Sequence, residues 1–256
     1  MISDNTCAVF TLARDEALRL PVWLRYYKKH FAPQNIYVFD HESTDDSTFN
    51  LDVSVIQVRN SHYNDIEWLT KTVKAAQAFL LSQYKYVLFA GPDEFVVADP
   101  IQCPRGGLAE YIARNTQPIV RCNGWAVIQN LSQETQPIDW SRRVFDQRRW
   151  WCWAMYDCKP LLASQPVNWC HGFHWEDDHP DRQPDPALLM VHLHRADMAT
   201  LTDRYVWLRQ QQFHDNGPLN QASFHQQWSD EEVIKDMQSF QDKLAPIPER
   251  FNGSIL

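Results

Sequence analysis

The stretch Tyr86-Val-Leu-Phe-Ala-Gly-Pro-Asp-Glu-Phe95 decides the fold. Tyr86 to Ala90 is a continuous apolar and aromatic run, too short for a helix, and reads as a fully buried strand. Gly91-Pro92 ends it, because proline cannot donate to a strand ladder and glycine lets the chain turn. Two carboxylates, Asp93 and Glu94, follow at once. At the carboxyl end of a strand in an open α/β sheet, such acids lie where ligands bind, with hard oxygens suited to a divalent cation. The same acids read equally as a polar turn after a core strand.

Working outward, Cys7 to Leu12 is another apolar run, as expected of a parallel strand covered on both faces. Leu20, Trp23, Leu24 and Tyr27 recur at helical spacing over Leu20 to Lys29, and Pro21 sits where an early helical position tolerates it. Ile36 to Phe39 is a second strand ending in Asp40, so this unit is a βαβ crossover. The polar run His41-Glu-Ser-Thr-Asp-Asp-Ser-Thr48 predicts a tight loop or helix cap. Val53 to Val58 is a third strand, and Asp65 to Ser82 carries an apolar stripe through Ile66, Leu69, Val73, Ala76 and Leu80. The first hundred residues therefore predict β-α-β-β-α-β in an open α/β sheet.

Further on, Leu108 to Asn115 predicts a short helix and Ile119 to Ile128 an extended segment. Arg148-Arg-Trp-Trp-Cys-Trp-Ala-Met-Tyr156 is an aromatic cluster headed by arginines, with the rings of Trp150, Trp151 and Trp153 suited to a sugar platform or to a core. Ala187 to His194 predicts a strand and Met198 to Gln212 a helix. Ser229 with Glu232 matches a capping box opening a last helix to about Leu244.

The chain has 256 residues, enough for a sizeable core, with ordinary hydrophobic (44%) and charged (22%) fractions. A formal net charge of −8 argues against a nucleic-acid backbone partner, which needs a basic face. The N-terminus shows no basic region followed by an apolar run, and no segment is long enough to cross a bilayer. These features lead us to expect a cytoplasmic protein, with peripheral contact at the inner face of a membrane left open. The six cysteines are expected to be reduced thiols.

His192 and His194, two apart on a strand, share one face and suit a metal. With Asp93 and the loop residue His174 they compose an oxygen and nitrogen ligand set for Mn²⁺ or Mg²⁺. Cys152, Cys158, Cys170 and His171 match no paired spacing of a structural zinc site. No Gly-rich phosphate loop and no Gly-x-Ser-x-Gly elbow is present.

The ordered series is more specific than any one motif. It comprises Arg14-Asp15-Glu16 with Leu20-Pro-Val-Trp-Leu24, then Ile36-Tyr-Val-Phe-Asp40 with Ser43-Thr-Asp-Asp-Ser-Thr48, then Asp93-Glu-Phe95. Gln147-Arg148, Lys159-Pro160, Gly172-Phe-His174, His192-Leu-His-Arg-Ala-Asp197 and Arg204 continue it. Together they resemble the family-2-like glycosyltransferases of GT-A fold, in particular the bacterial branch sharing an Asp-Glu-Phe signature with the family-92 enzymes. The resemblance spans residues 7 to 204.

That resemblance implies a nucleotide-diphospho-sugar transferase fold with a mostly parallel sheet flanked by helices. It implies transfer of a sugar from a nucleotide-sugar donor to a glycan or lipid-linked acceptor in polysaccharide biosynthesis, with inversion at the anomeric carbon. Glu16, Asp40 and Asp45 would border the nucleoside, and Arg148 and Lys159 would contact phosphate. Asp93 would bind Mn²⁺ or Mg²⁺, completed by His174, His192 or His194. Glu176, Asp177 and Asp178 supply the candidate catalytic base. Gly91 stands where the family has the first acid of its Asp-x-Asp motif, which keeps a non-catalytic sugar-nucleotide binder in view. A metal-dependent phosphoesterase built on Asp93, His174, His192 and His194 is the other alternative. The expected organisation is a transferase domain over residues 1–212 and a helical extension over 213–256 packed on it.

Overall fold

A computed structural model describes residues 2, 5–60, 62–63, 65–211 and 227–251. The predicted opening strand is β4 (Tyr86–Phe89), buried at every position. It lies beside β1 (Cys7–Ala13), whose residues Cys7 to Phe10 are wholly enclosed. β1 is flanked on its other side by β2 (Ile36–Asp40), and β2 by β3 (Ser54–Gln57). These four strands run parallel in the order β3-β2-β1-β4. Parallel strands need connections that return the chain: α1 (Arg19–Tyr27) joins β1 to β2, the polar loop joins β2 to β3, and α2 (Ile66–Leu81) carries the chain from β3 across to β4. The Asp65 side chain caps α2 by accepting the Trp68 N–H at 3.0 Å.

Beyond β4 the sheet is mixed. β8 (Pro160–Ala163) is antiparallel to β4 and to β6 (Ile119–Ile128). β6 pairs with β7 (Trp150–Trp153) and, in parallel, with β9 (Asp185–Arg195). β5 (Glu94–Ala98) lies antiparallel to β9, and β10 (Ala245–Pro246) pairs with β7. Among the described residues ten strands join in one sheet, flanked by helices, an α/β architecture as expected.

Several strands depart from the sequence expectation, among them the short β10. β5 begins on an acid, Glu94, yet all five of its residues are buried, with Glu94 paired to Lys159 at 2.6 Å and an apolar run, Phe95 to Ala98, behind it. β8 begins at Pro160, a position where a missing N–H is tolerated. β7 uses part of the aromatic cluster as a strand: Trp151 is buried against Trp125 with ring centroids 4.5 Å apart, whereas Trp153 is exposed.

The predicted helix from Met198 closes earlier, as α5 (Met198–Leu208); Gln212 lies outside the described residues. The expected boundary after residue 212 also falls in the undescribed stretch 212–226. α6 (Asp230–Ser239) carries the predicted capping box and ends before Leu244. Its Val233 and Met237 pack with Leu201, Tyr205 and Leu208 of α5. The six cysteines are all unpaired and buried. Among the described residues no helix is long and apolar enough to cross a membrane.

Candidate functional site

The chain leaves β1 toward β2 and β3 on one side and returns to β4 on the other. The carboxyl ends of β1 and β4 therefore meet where the strand order reverses, the place where open α/β sheets bind ligands. A cavity of about 320 Å³ opens there, lined by Arg14, Glu16, Arg19, Asp93, His194 and Arg204 among others.

Asp93 sits in the tight turn Gly91-Pro92-Asp93 between β4 and β5, closed by the Glu94 N–H donating to the Gly91 carbonyl at 3.0 Å. β5 runs beside β9 with Glu94 opposite His192, and the Asp93 carbonyl accepts the Leu193 N–H at 2.9 Å. This register brings the acid to the His192-Leu193-His194 strand. Strand alternation turns both imidazoles to one side, with ring centroids 5.7 Å apart. Asp93 Oδ2 lies 3.4 Å from His192 Nε2 and 3.8 Å from His194 Nδ1. One donor atom from each of the three residues lies within 4.8 Å of the other two.

His174 is not in this group. Its Nδ1 is 2.7 Å from the Tyr156 carbonyl, and burial and the Lys159 charge lower its pKa to about 4. Its Nδ1 is thus engaged within the protein, and among the described residues it does not fall within reach of Asp93, His192 and His194.

The electrostatics suit a cation. Burial opposes charge on His192, but Asp157 and Asp93 overcome it and raise its pKa to about 10. Burial works to raise the Asp93 carboxyl, and the His192 charge overrides it and holds Asp93 well below its ordinary value. His194 is pushed well below 6.5 by burial and by the Arg195 and His192 charges. Asp93 is thus ionised and His194 neutral, the states in which each donates a lone pair, while His192 would have to lose a proton to solvent before it could bind a metal. One carboxylate and two imidazoles form a donor set that fits a divalent transition ion such as Mn²⁺ better than the all-oxygen preference of Mg²⁺.

Lys159 lines the same cavity but is engaged: its Nζ lies 2.6 Å from Glu94 Oε1. Burial disfavours its charge, and the Glu94 carboxylate more than restores it, raising the pKa. The other oxygen of Glu94 accepts the Gly91 N–H at 2.8 Å.

Arginines line the same cavity. Arg204 bonds Glu16 at 2.7 Å and the Tyr63 hydroxyl at 2.8 Å, and Arg19 lies 3.7 Å from Glu16. Burial raises the Glu16 pKa against the Arg204 and Arg19 charges. Arg14 differs: its Nε and Nη1 are buried with no hydrogen-bond partner among the described residues, as is Arg19 Nε. Unmet buried donors on an always-charged fork favour an anionic ligand such as phosphate. Phe173 closes the pocket with φ at +65°, a conformation that costs a side-chain-bearing residue about 1–2 kcal/mol.

Several predicted site residues are spent elsewhere. Asp40 organises the polar loop, accepting the Ser43 N–H at 2.9 Å and the Thr48 hydroxyl at 2.9 Å. Asp45 accepts the Ala17 N–H at 3.0 Å, tying that loop to the chain after β1 and so fixing Glu16 from behind. Arg148, expected at the phosphates, is buried away from the cavity lining and bonded to Asp197 at 2.7 Å and to the carbonyls of Ala196, Gln147 and Gln136. Glu176 is buried and holds Arg182 through both oxygens, at 2.5 and 3.1 Å. Asp177 and Asp178 are exposed, and neither lines the cavity. The group of Cys152, Cys158, Cys170 and His171 forms no metal cluster among the described residues.

Arg14 and Arg19 carried no expected role, although the rule that singled out Asp93 applies to Arg14 at the end of β1. Arg204 belonged to the motif series without an assigned function. Asp157, whose Oδ1 lies 3.1 Å from His192 Nδ1, left no signal in the sequence, since its partner is 35 positions away.

No family model and no curated protein matches the chain. Among solved structures it is similar to the mannosyltransferase PcManGT from Pyrobaculum calidifontis in complex with GDP-Man and Mn²⁺. That likeness has a TM-score of 0.34 and 12% identity, and covers 93% of this chain and 76% of the other.

Proposed function

We propose that the protein is a GT-A-fold glycosyltransferase that moves a sugar from a nucleotide-sugar donor to a hydroxyl of a glycan or lipid-linked acceptor, with inversion. The observation that carries this reading is the Asp93, His192 and His194 group beside the buried, unmet Nε and Nη1 of Arg14 at the switch point of the sheet. Asp93, His192 and His194 would hold Mn²⁺ or Mg²⁺, which supplies positive charge for a departing diphosphate. Arg14 and Arg19 offer donors to the phosphate oxygens, a role that falls to them because Arg148 and Lys159 are paired within the protein. Glu16, fixed by Arg204, borders the nucleoside side of the pocket. In the reaction the bond from the anomeric carbon to the donor phosphate breaks, and the acceptor oxygen takes its place as it loses its proton to a base.

Binding of the donor without turnover is the second reading. It is favoured by the positions of Glu176, Asp177 and Asp178 off the cavity, and by Gly91 in place of an acid. One experiment separates the two: nucleotide-sugars are offered with Mn²⁺, and release of nucleoside diphosphate is followed. Release from one donor, abolished in Asp93→Ala while circular dichroism stays unchanged, supports transfer. Tight binding without release supports the second reading, and cleavage of simple phosphate esters with no donor preference would overturn both in favour of a phosphoesterase.

A further inference from the structure

Asp157 does not line the cavity, yet the fold takes trouble to place it. It closes a one-turn 3-10 helix, Met155–Asp157, that follows β7, with its N–H donating to the Ala154 carbonyl at 3.0 Å. This turn lies directly on Gly124 of β6. A Cβ built on Gly124 would stand 2.3 Å from the Asp157 carbonyl carbon and 2.6 Å from its oxygen, so a larger residue would lift the turn off the strand. The contact is stitched on both sides: the Gly124 carbonyl accepts the Ala154 N–H at 3.1 Å, and Cys158 Sγ accepts the Gly124 N–H at 3.2 Å. β6 runs beside β9 with Ala126 opposite His192, so a group seated above Gly124 reaches the neighbouring imidazole.

The result is a line of three side chains. Asp157 Oδ1 is 3.1 Å from His192 Nδ1, and the far nitrogen, Nε2, is 3.4 Å from Asp93 Oδ2. Both Asp157 and His192 are largely enclosed, at 11% and 16% side-chain exposure, which keeps water from replacing the carboxylate.

We infer that Asp157 is a positioning residue for the metal group: it accepts the Nδ1–H of His192 and so keeps Nε2 turned toward Asp93 as the nitrogen left to a metal. The inference rests on the proposed cation site. An imidazole that binds a metal through one nitrogen commonly donates its other N–H to a carboxylate, which fixes both tautomer and ring plane. Asp157 is not itself a ligand, since it sits on the side of the ring away from Asp93. Gly124 is the residue that makes the arrangement sterically attainable.

The test titrates the full chain with Mn²⁺ alone, reading free ion by electron paramagnetic resonance, for the wild type, Asp157→Ala and Asp157→Asn. Asp157→Ala is expected to weaken Mn²⁺ binding by about 10- to 100-fold. Asp157→Asn keeps an acceptor oxygen, and is expected to bind more tightly than Asp157→Ala and to give a bound-Mn²⁺ spectrum like the wild type. A folded Asp157→Ala protein with wild-type affinity overturns the inference. Equal weakening in both variants also overturns it, since the acceptor oxygen would then be irrelevant. Failure of the wild type to bind Mn²⁺ removes the cation reading of Asp93, His192 and His194 itself, a result distinguishable from the other two.

Discussion

The carboxylate of Glu94 occupies the space beside Gly91: its Oε2 accepts the Gly91 N–H at 2.8 Å, and a Cβ at position 91 would stand 3.3 Å from its Cδ. The Glu94 side chain thus folds back over position 91 and is held there by Lys159. Gly91→Asp should therefore not improve a cation site. It crowds a second carboxylate against Glu94 and is expected to cost about 1–3 kcal/mol in urea denaturation, with no gain in Mn²⁺ affinity. Undiminished stability together with tighter Mn²⁺ binding would show that Glu94 moves aside freely.

Arg14 presents buried donors that no described residue accepts. Leaving such a group unmet costs the fold, so replacing it should not lower stability, whereas any anion it serves loses a charge-assisted bond of about 1.5–3 kcal/mol. Arg14→Ala is expected to weaken nucleoside diphosphate binding by about 10- to 100-fold by calorimetry, with an unchanged or slightly higher melting temperature. Unaltered affinity would place the phosphates elsewhere.

Arg148 and Asp197 make the opposite case. Each is 2% exposed, and they meet at 2.7 Å. Removing one member of a buried pair strands the other charge, so Arg148→Ala should destabilise the protein by about 3–5 kcal/mol. Asp197 also caps α5 by accepting the Thr200 N–H at 2.9 Å, so Asp197→Ala should cost at least as much. Mn²⁺ affinity in folded Arg148→Ala protein should match the wild type, because the pair does not touch the cavity. A stable variant with impaired phosphate binding would restore Arg148 to the site.

His30 packs on Tyr26 with centroids 5.0 Å apart, and its buried Nε2 has no partner among the described residues. Burial and the Lys29 charge lower its pKa from 6.5 to about 4. Between these values the unfolded chain holds a proton that the folded chain does not. Its contribution is therefore fully present above 6.5 and is lost as pH falls toward 4, with a slope of up to about 1.4 kcal/mol per pH unit. Urea denaturation between pH 7 and 4.5 should show a shallower decline for His30→Phe than for the wild type. Parallel curves would mean that His30 titrates normally.

The elements around the site were legible because their signals are local. Apolar runs marked β1, β2 and β4, helical spacing marked α1 and α2, and the two-residue alternation of a strand placed His192 and His194 on one face before any partner was known. β5 carries the same kind of apolar run in Phe95 to Ala98, but its start was not legible, because its first residue is an acid paired with Lys159, 65 positions away. The same distance problem hid the fate of the charged candidates. Asp93, His192 and His194 converge, while Arg148 is consumed by Asp197, Glu176 by Arg182 and Asp40 by its own loop.

The sequence by itself therefore determined the βαβ frame, the turn that carries Asp93 and the pairing of two imidazoles on one strand face. Only the tertiary structure decided which charges are free to meet a ligand. Backbone periodicity is set by neighbours a few residues apart, whereas a buried charge must find its counter-charge wherever the packed chain brings one, and no local pattern records that choice.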